Sequence, residues 1–285
     1  FTLSVGVLAN YNSALNEGIH FYPGIDASYR IGDNFRLYGS WNRALRMPTF
    51  TDLYYEGKTN KGNPDLKPEE SEAFEVGLKY NTYFLRAHIA GFYRKGKNMI
   101  DWVKEKPEDI WESRNLTKVD NLGFETNLSL LPRELGNKRF FIRKIELGYA
   151  FIHQDKDSEG YISNYALDYL KHKFTAQLSH SIWKGFSATW YVRWQDRAGS
   201  YTKYENLKPA YEEPYAPYCL VDMKVNWEYQ RLNLYAELNN LLNSTYYDLG
   251  NIPQPGIWFK AGLRYSFKYK YPVVETGHAP VSTTG

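Results

Sequence analysis

Apolar and polar residues alternate along this chain with a period of two from its first residues to about residue 267. Side chains on a strand point to opposite faces in turn, so the alternation predicts strands with one apolar and one polar face. Phe1, Leu3, Val5 and Val7 begin the pattern, and Ile25, Ala27, Tyr29 and Ile31 continue it against Asp26, Ser28 and Arg30. Phe35, Leu37, Gly39 and Trp41 oppose Arg36, Tyr38, Ser40 and Asn42; Phe74, Val76, Leu78 and Tyr80 oppose Glu75, Gly77 and Lys79. The clearest stripe is Phe186, Ala188, Trp190, Val192 and Trp194, and a last one runs from Ile257 to Phe267. Helical periodicity is almost absent. About twelve strands are expected on this pattern.

The connections differ in length by turns. Gly32-Asp33-Asn34, Asn81-Thr82 and Trp183-Lys184-Gly185 are short, and Gly and Asn tolerate the positive φ of tight turns. Long loops are expected at roughly 11–21, 47–69, 103–116, 154–167, 199–216 and 244–256. Short turns on one side and long loops on the other suit a membrane barrel with periplasmic turns and extracellular loops. Strands of about nine or more residues match a tilted crossing of the hydrocarbon core, whereas soluble sandwich strands are usually about 5–6 residues. Arg and Lys in mid-strand, on the face opposite the aliphatics, favour a wet lumen over a dry core. The expected fold class is therefore all-β, an antiparallel transmembrane β-barrel, over residues 1–267.

Composition sharpens this. Aromatics make up 17% of the 285 residues, with 26 Tyr and 8 Trp, side chains suited to membrane–water interfaces. Mean hydropathy is −0.59, and no apolar run is long enough for a transmembrane helix. A barrel evades that test, because only alternate residues meet lipid. Net charge is +3 on a balanced set of charges, which speaks against nucleic acid as a partner. The single cysteine, Cys219, excludes an intrachain disulfide and a cysteine-based metal site. The chain opens on Phe1 in mid-pattern, which reads as a piece of a longer exported precursor. The final residues, 268–285, are rich in Pro, Gly, Ser and Thr and read as a disordered tail.

The loop after Trp41 carries an ordered motif: Arg46, Pro48, Thr49, Phe50, Asp52, Leu53 and Tyr54, then Gly62, Asn63, Pro64, Leu66, Pro68, Glu69 and Ser71. It resembles TonB-dependent outer-membrane receptors. Asn121-Leu122-Gly123-Phe124-Glu125 and Asn239-Asn240-Leu241-Leu242-Asn243, followed by Tyr246-Tyr247 and Pro255-Gly256, are similar to further stretches of that family. One departure is Ile257, where the family usually has arginine after the last Pro-Gly. The resemblance implies a barrel of about 22 strands, of which these would form the C-terminal half. It also implies an N-terminal plug, not in this sequence, through which the TonB complex acts. The implied partners are outer-membrane lipid and a small nutrient ligand, such as an iron chelate or a cobalamin-like corrinoid. A passive channel and, less favoured, an outer-membrane hydrolase are the alternatives.

Candidate site residues follow. On the loops, Arg46, Phe50, Tyr54, Tyr55, Trp111, Tyr165, Tyr201 and Tyr204 offer rigid aromatic faces and polar tips for a partly apolar ligand. On the lumen face, Arg36, Arg86, Glu125, Arg193, Arg197, Asp222 and Lys224 would contact a plug or guide a polar ligand, or simply form a wet wall. Asp155, Asp157 and Glu159, with Gly160, match the first half of a calcium loop, although Ala166 stands where its last carboxylate belongs. No cofactor is otherwise required; calcium in an extracellular loop is the one candidate. His153, His172 and His180 lack a serine in a nucleophile-elbow context, so no catalytic residue is expected.

Overall fold

The computed structural model describes residues 1–11, 18–106, 108–136, 139–157, 160–163, 169–206 and 208–267. The proposed tail at 268–285 lies outside them. Twelve strands follow one another in a single antiparallel sheet, each hydrogen-bonded to the next in chain order. They are β1 (Thr2–Tyr11), β2 (Ile19–Ile31), β3 (Phe35–Arg46), β4 (Glu69–Asn81), β5 (Leu85–Lys104) and β6 (Trp111–Leu130). The second half comprises β7 (Ile142–Asp157), β8 (Leu170–Trp183), β9 (Phe186–Arg197), β10 (Tyr218–Tyr229), β11 (Leu232–Asn239) and β12 (Trp258–Tyr265). Among the described residues β1 pairs only with β2 and β12 only with β11, so the sheet is an open wall.

The register confirms the two faces. One ladder of directly opposed residues runs Ile31, Phe35, Tyr80, Ala87, Leu128, Leu147, Ala176, Val192 and Val221. One position along, the ladder runs Arg30, Arg36, Lys79, His88, Asn127, Gly148, Thr175 and Arg193. A slip of one residue would exchange the two sets, so the burial pattern fixes the register. The apolar ladder starts beside the short turn at Ile31 and ends beside a long loop at Val221. That drift is the tilt of barrel strands.

Aromatic rings edge the apolar band. Phe35 packs on Tyr80 and Phe186 on Trp227 at the short-turn end; Trp41 packs on Phe74 and Phe124 on Phe151 at the other. Beyond Trp41 the same face turns charged: Arg43 lies 3.5 Å from Glu70, and Trp41 Nε1 donates to Glu72. Such girdles mark the two membrane–water interfaces. On the polar face, Tyr38, Phe92 and Tyr235 lie flat over their cross-strand partners Gly77, Gly123 and Gly262. A Cβ at any of these three glycines would come within 2.5 Å of the facing ring or of backbone, so the glycines are required by close approach.

Three expected loops are structured otherwise. The segment expected as a loop at 103–116 is largely strand. β5 and β6 remain paired to Val103 opposite Glu112, leaving only a short tip. Past Tyr93, where the aromatic edge lies, β5 continues for roughly 35 Å at about 3.3 Å per residue. The period-two signal persists there but carries charged residues on both faces, which is why it reads as loop. β7 likewise continues to Asp157, and the connection at 199–216 contains its own hairpin, Ser200–Glu205 with Lys208–Pro214.

Candidate functional site

Buried side chains concentrate in the projecting hairpin of β5 and β6 and the loop laid against it. Ile100, Trp102, Val103 and Val119 are buried, as are Asp101, Ser113 and Asp120. The loop after β3 opens with a one-turn helix, α1 (Phe50–Tyr54). Thr49 caps it, its Oγ1 accepting from Asp52 N while the Asp52 carboxylate accepts from Thr49 N. Such reciprocal bonds satisfy donors that a helix start leaves unpaired. The chain then folds back over α1: Gly62 N donates to Tyr55 O and Asn63 N to Asp52 O. A Cβ on Gly62 would lie 2.8–2.9 Å from the backbone of Leu53, Tyr54 and Tyr55.

The folded-back loop is fastened to the hairpin. Ser113, fully buried, donates to Asp52 O, and Asn115 bonds both N and O of Lys67. Arg46 donates twice to Glu69, at 2.6 and 2.5 Å, and Glu69 Oε1 also accepts from Ile100 N at 2.8 Å. Glu69 is 7% exposed; a buried carboxylate is tolerable only with such partners. The motif from Arg46 to Ser71 is therefore a clasp. Its Thr49, Asp52, Gly62, Asn63, Leu66 and Glu69 all have structural work, and Arg46 spends its guanidinium on Glu69.

A second cluster forms where the 200–214 hairpin meets the loop between β11 and β12. A cavity of about 380 Å³ is lined by Trp111, Arg197, Tyr201 and Tyr204, with Glu212 and Asp248 among its polar groups. Tyr201 lies over Gly250 and packs on Tyr215 (5.1 Å) and Tyr247 (5.8 Å). Arg197 sits over the Tyr215 ring at 5.4 Å, and Lys104 over Trp111 at 4.5 Å. Burial pushes the Lys104 ammonium down and, with Glu213 nearby, the Tyr201 phenol up. Asn251 donates to Thr202 O, holding the two loops together.

Thus Trp111, Tyr201, Tyr204 and lumen-assigned Arg197 come together. Phe50 and Tyr54 are instead exposed on α1, 5.9 Å apart, and Tyr55 packs edge-on against Trp102 in the clasp. Tyr165 and Glu159 lie outside the described residues. Asp155 and Asp157 belong to β7, laddered with Asp120 and Lys118. Among the described residues no group of three or more His, Cys, Asp or Glu is placed to hold a metal. Glu212 and Asp248 escaped the sequence reading, since lone carboxylates in polar loops carry no distinguishing pattern.

The polar face carries a set of charged side chains. Arg36, Arg86, Glu125, Arg193, Asp222 and Lys224 share it by register. Tyr38 donates to Glu75 at 2.7 Å and lies 2.7 Å from His88 Nε2, with Glu125 3.7 Å from the same imidazole. Glu237 bridges Lys224 (2.7 Å) and Lys260 (2.6 Å) across three strands. His172 faces the apolar side, bonded to Tyr149 and packed 4.9 Å from Phe151.

A family model described as TonB dependent receptor-like, beta-barrel, matches residues 4–241. The chain belongs to this family. Its members are outer-membrane receptors and transporters of Gram-negative bacteria. The vitamin B12 transporter BtuB of Vibrio vulnificus is 27% identical over 178 residues, covering 50% of this chain and 28% of that protein. The ferrienterobactin receptor of Escherichia coli is 22% identical over 84% of this chain and 34% of its own length. The chain thus spans about a quarter to a third of such curated relatives. Among solved structures, a ferric enterobactin receptor of Pseudomonas aeruginosa in complex with enterobactin has a TM-score of 0.70 at 20% identity, covering 93% of this chain and 43% of that one. The copper transporter OprC has a TM-score of 0.66 at 17% identity, covering 87% of this chain and 40% of that one. At these identities the likeness is one of fold.

Proposed function

We propose that this chain is the C-terminal part of the barrel of a TonB-energised outer-membrane receptor, which imports a scarce nutrient such as an iron chelate or a cobalamin-like corrinoid. The observation that carries the reading is the family match, joined to a wall of consecutive antiparallel strands whose clasp and 200–214 hairpin stand on the same rim. In this reading the remaining strands complete the wall and remove its two open edges, whose unpaired backbone groups would each cost several kcal/mol in lipid. Short turns face the periplasm and long loops the exterior. The ligand is met first by the cavity of Trp111, Arg197, Tyr201 and Tyr204, where aromatic faces bury its apolar parts and polar tips orient it. Arg36, Arg86, Glu125, Arg193, Asp222 and Lys224 line the path behind.

Uptake of radiolabelled corrinoid or ferric chelate by cells carrying the full-length protein tests this. Uptake should require an intact TonB system, and the purified protein should be nearly silent in planar bilayers. Large steady conductance with TonB-independent uptake would make it a passive channel instead.

A further inference from the structure

Two carboxylates stand in the wall of the cavity that holds Trp111, Tyr201 and Tyr204, and they come from different loops. Glu212 lies on the second strand of the 200–214 hairpin, directly opposite Thr202. Its Oε1 accepts from Thr202 Oγ1 at 2.5 Å and its Oε2 from Ser200 Oγ at 3.1 Å. Asp248 belongs to the loop between β11 and β12, where its Oδ1 accepts from the Tyr218 hydroxyl at 2.6 Å. All three donors are neutral hydroxyls. They fix where each carboxylate sits and leave its charge uncancelled. These bonds lie within the chain, so they do not depend on what completes the barrel.

Cations near this cluster are engaged elsewhere or outnumbered. Lys203 is paired with Glu213 at 2.8 Å, and Lys104 is buried over the Trp111 ring. Among the described residues Arg197 is the one cation in the lining, and it lies over Tyr215. The lining therefore sets one positive side chain against two negative ones. Its aromatic walls add to the same sign, because the face of a ring is the negative side of its quadrupole. A ligand with several negative charges meets like charge here, inside a cavity of about 380 Å³, where repulsion costs more than in open water. A neutral ligand meets no such repulsion and keeps the aromatic contact.

We propose that Glu212 and Asp248 are specificity residues, which turn polyanionic iron chelates away from the cavity and leave it to an electrically neutral ligand. Three catecholates leave a ferric ion strongly anionic, whereas three hydroxamates neutralise it. The ligand class favoured is thus a ferric trihydroxamate or a neutral corrinoid. Discrimination of this kind works through what a site repels as well as what it attracts. Both residues take this role under the receptor reading above, in which the cavity meets the ligand.

The test is isothermal titration calorimetry on purified full-length receptor in detergent, with a ferric trihydroxamate, cyanocobalamin and a ferric tris-catecholate as probes. One of the two neutral probes should bind about ten-fold or more tightly than the catecholate. Combining Glu212→Gln with Asp248→Asn keeps shape and hydrogen-bond acceptors while removing both charges. That variant should bind the catecholate about ten-fold more tightly than the parent at low salt, with a smaller gain at high salt. Its affinity for the neutral probe should move by no more than about two-fold. Asp248→Glu, which keeps the charge, should still reject the catecholate. Glu134→Gln, which removes an exposed charge at the short-turn rim, should bind all probes like the parent. Heat-modifiable migration on gels verifies that each variant has assembled. Equal or tighter binding of the catecholate by the parent would overturn the proposal. So would an unchanged catecholate affinity in the double variant, or binding of none of the three probes. Neither TonB nor uptake enters the measurement, so failure here leaves the transport reading to its own test.

Discussion

The membrane band and the extracellular clasp are built on opposite plans. In the band, from Phe35 to Trp41 and across the wall, each strand is simple and both faces remain open within this chain; lipid and lumen supply the other half of every contact. In the clasp, the loop from residue 47 to 68 lies on the hairpin of β5 and β6, with Tyr55 edge-on to Trp102 and Ser113 bonded to Asp52, and Trp102, Ser113 and Leu66 are buried. The band is specified by parity alone. The clasp is specified by individual residues, each with an identifiable partner. Ordinary globular packing therefore occurs here outside the membrane, where water is present to drive it.

That contrast predicts where single substitutions hurt. Gly62→Val should have the largest effect on the clasp, because its side chain enters space held by the backbone of residues 53–55. Overpacking and lost loop bonds together should cost about 3 kcal/mol or more of local stability. Limited proteolysis of the full-length protein should then cut between residues 50 and 66 while the barrel still assembles. Next, Glu69→Ala leaves Ile100 N–H and the Arg46 guanidinium without their acceptor, at about 2–4 kcal/mol. Hydrogen exchange at Ile100 should accelerate. Tyr201→Ala should weaken ligand binding by roughly ten-fold, against little change for Phe50→Ala, which lies outside the cavity. Equal losses would erase the distinction between the two loop clusters.

The smallest expected effect is one of pH. Lys203 Nζ lies 2.8 Å from Glu213 in the 200–214 hairpin, and that hydrogen bond holds the carboxyl below, and the ammonium above, their ordinary ranges of 4.5 and 10.5. The carboxylate's contribution is complete above its unfolded value and lost as pH falls through its depressed folded value. The ammonium's is complete below its unfolded value and lost as pH rises through its raised folded value. Order in this exposed hairpin, followed by NMR, should therefore be flat across neutral pH and decline slightly at both extremes.

Much of the wall was legible because period-two alternation survives wherever one side of a strand faces lipid. All twelve strands, their order and the placement of Arg36, Arg193 and Lys224 follow from that rule. The rule fails above Trp41 and Tyr93, where both faces meet water or protein and the alternation loses its contrast; hence β5 and β6 read as ending at a loop. The motif around Gly62 named the family from its residue order, yet its physical role was hidden. Which backbone a glycine must approach, and which carboxylate an arginine must serve, depends on contacts far apart in sequence. Arg46 to Glu69 and Asp52 to Ser113 are such contacts. The cavity of Trp111 and Tyr201 joins four of the expected loop segments, and only their folding discloses it.

Hydrogen exchange of the full-length receptor, parent against Gly62→Val, tests most directly the claim that loop and hairpin form one folded unit. The amides of Gly62, Asn63 and Ile100 should be protected together in the parent and lose protection together in the variant, while those of residues 186–194 in the band stay unchanged. Fast exchange of residues 50–66 in the parent, with the hairpin protected on its own, would contradict it.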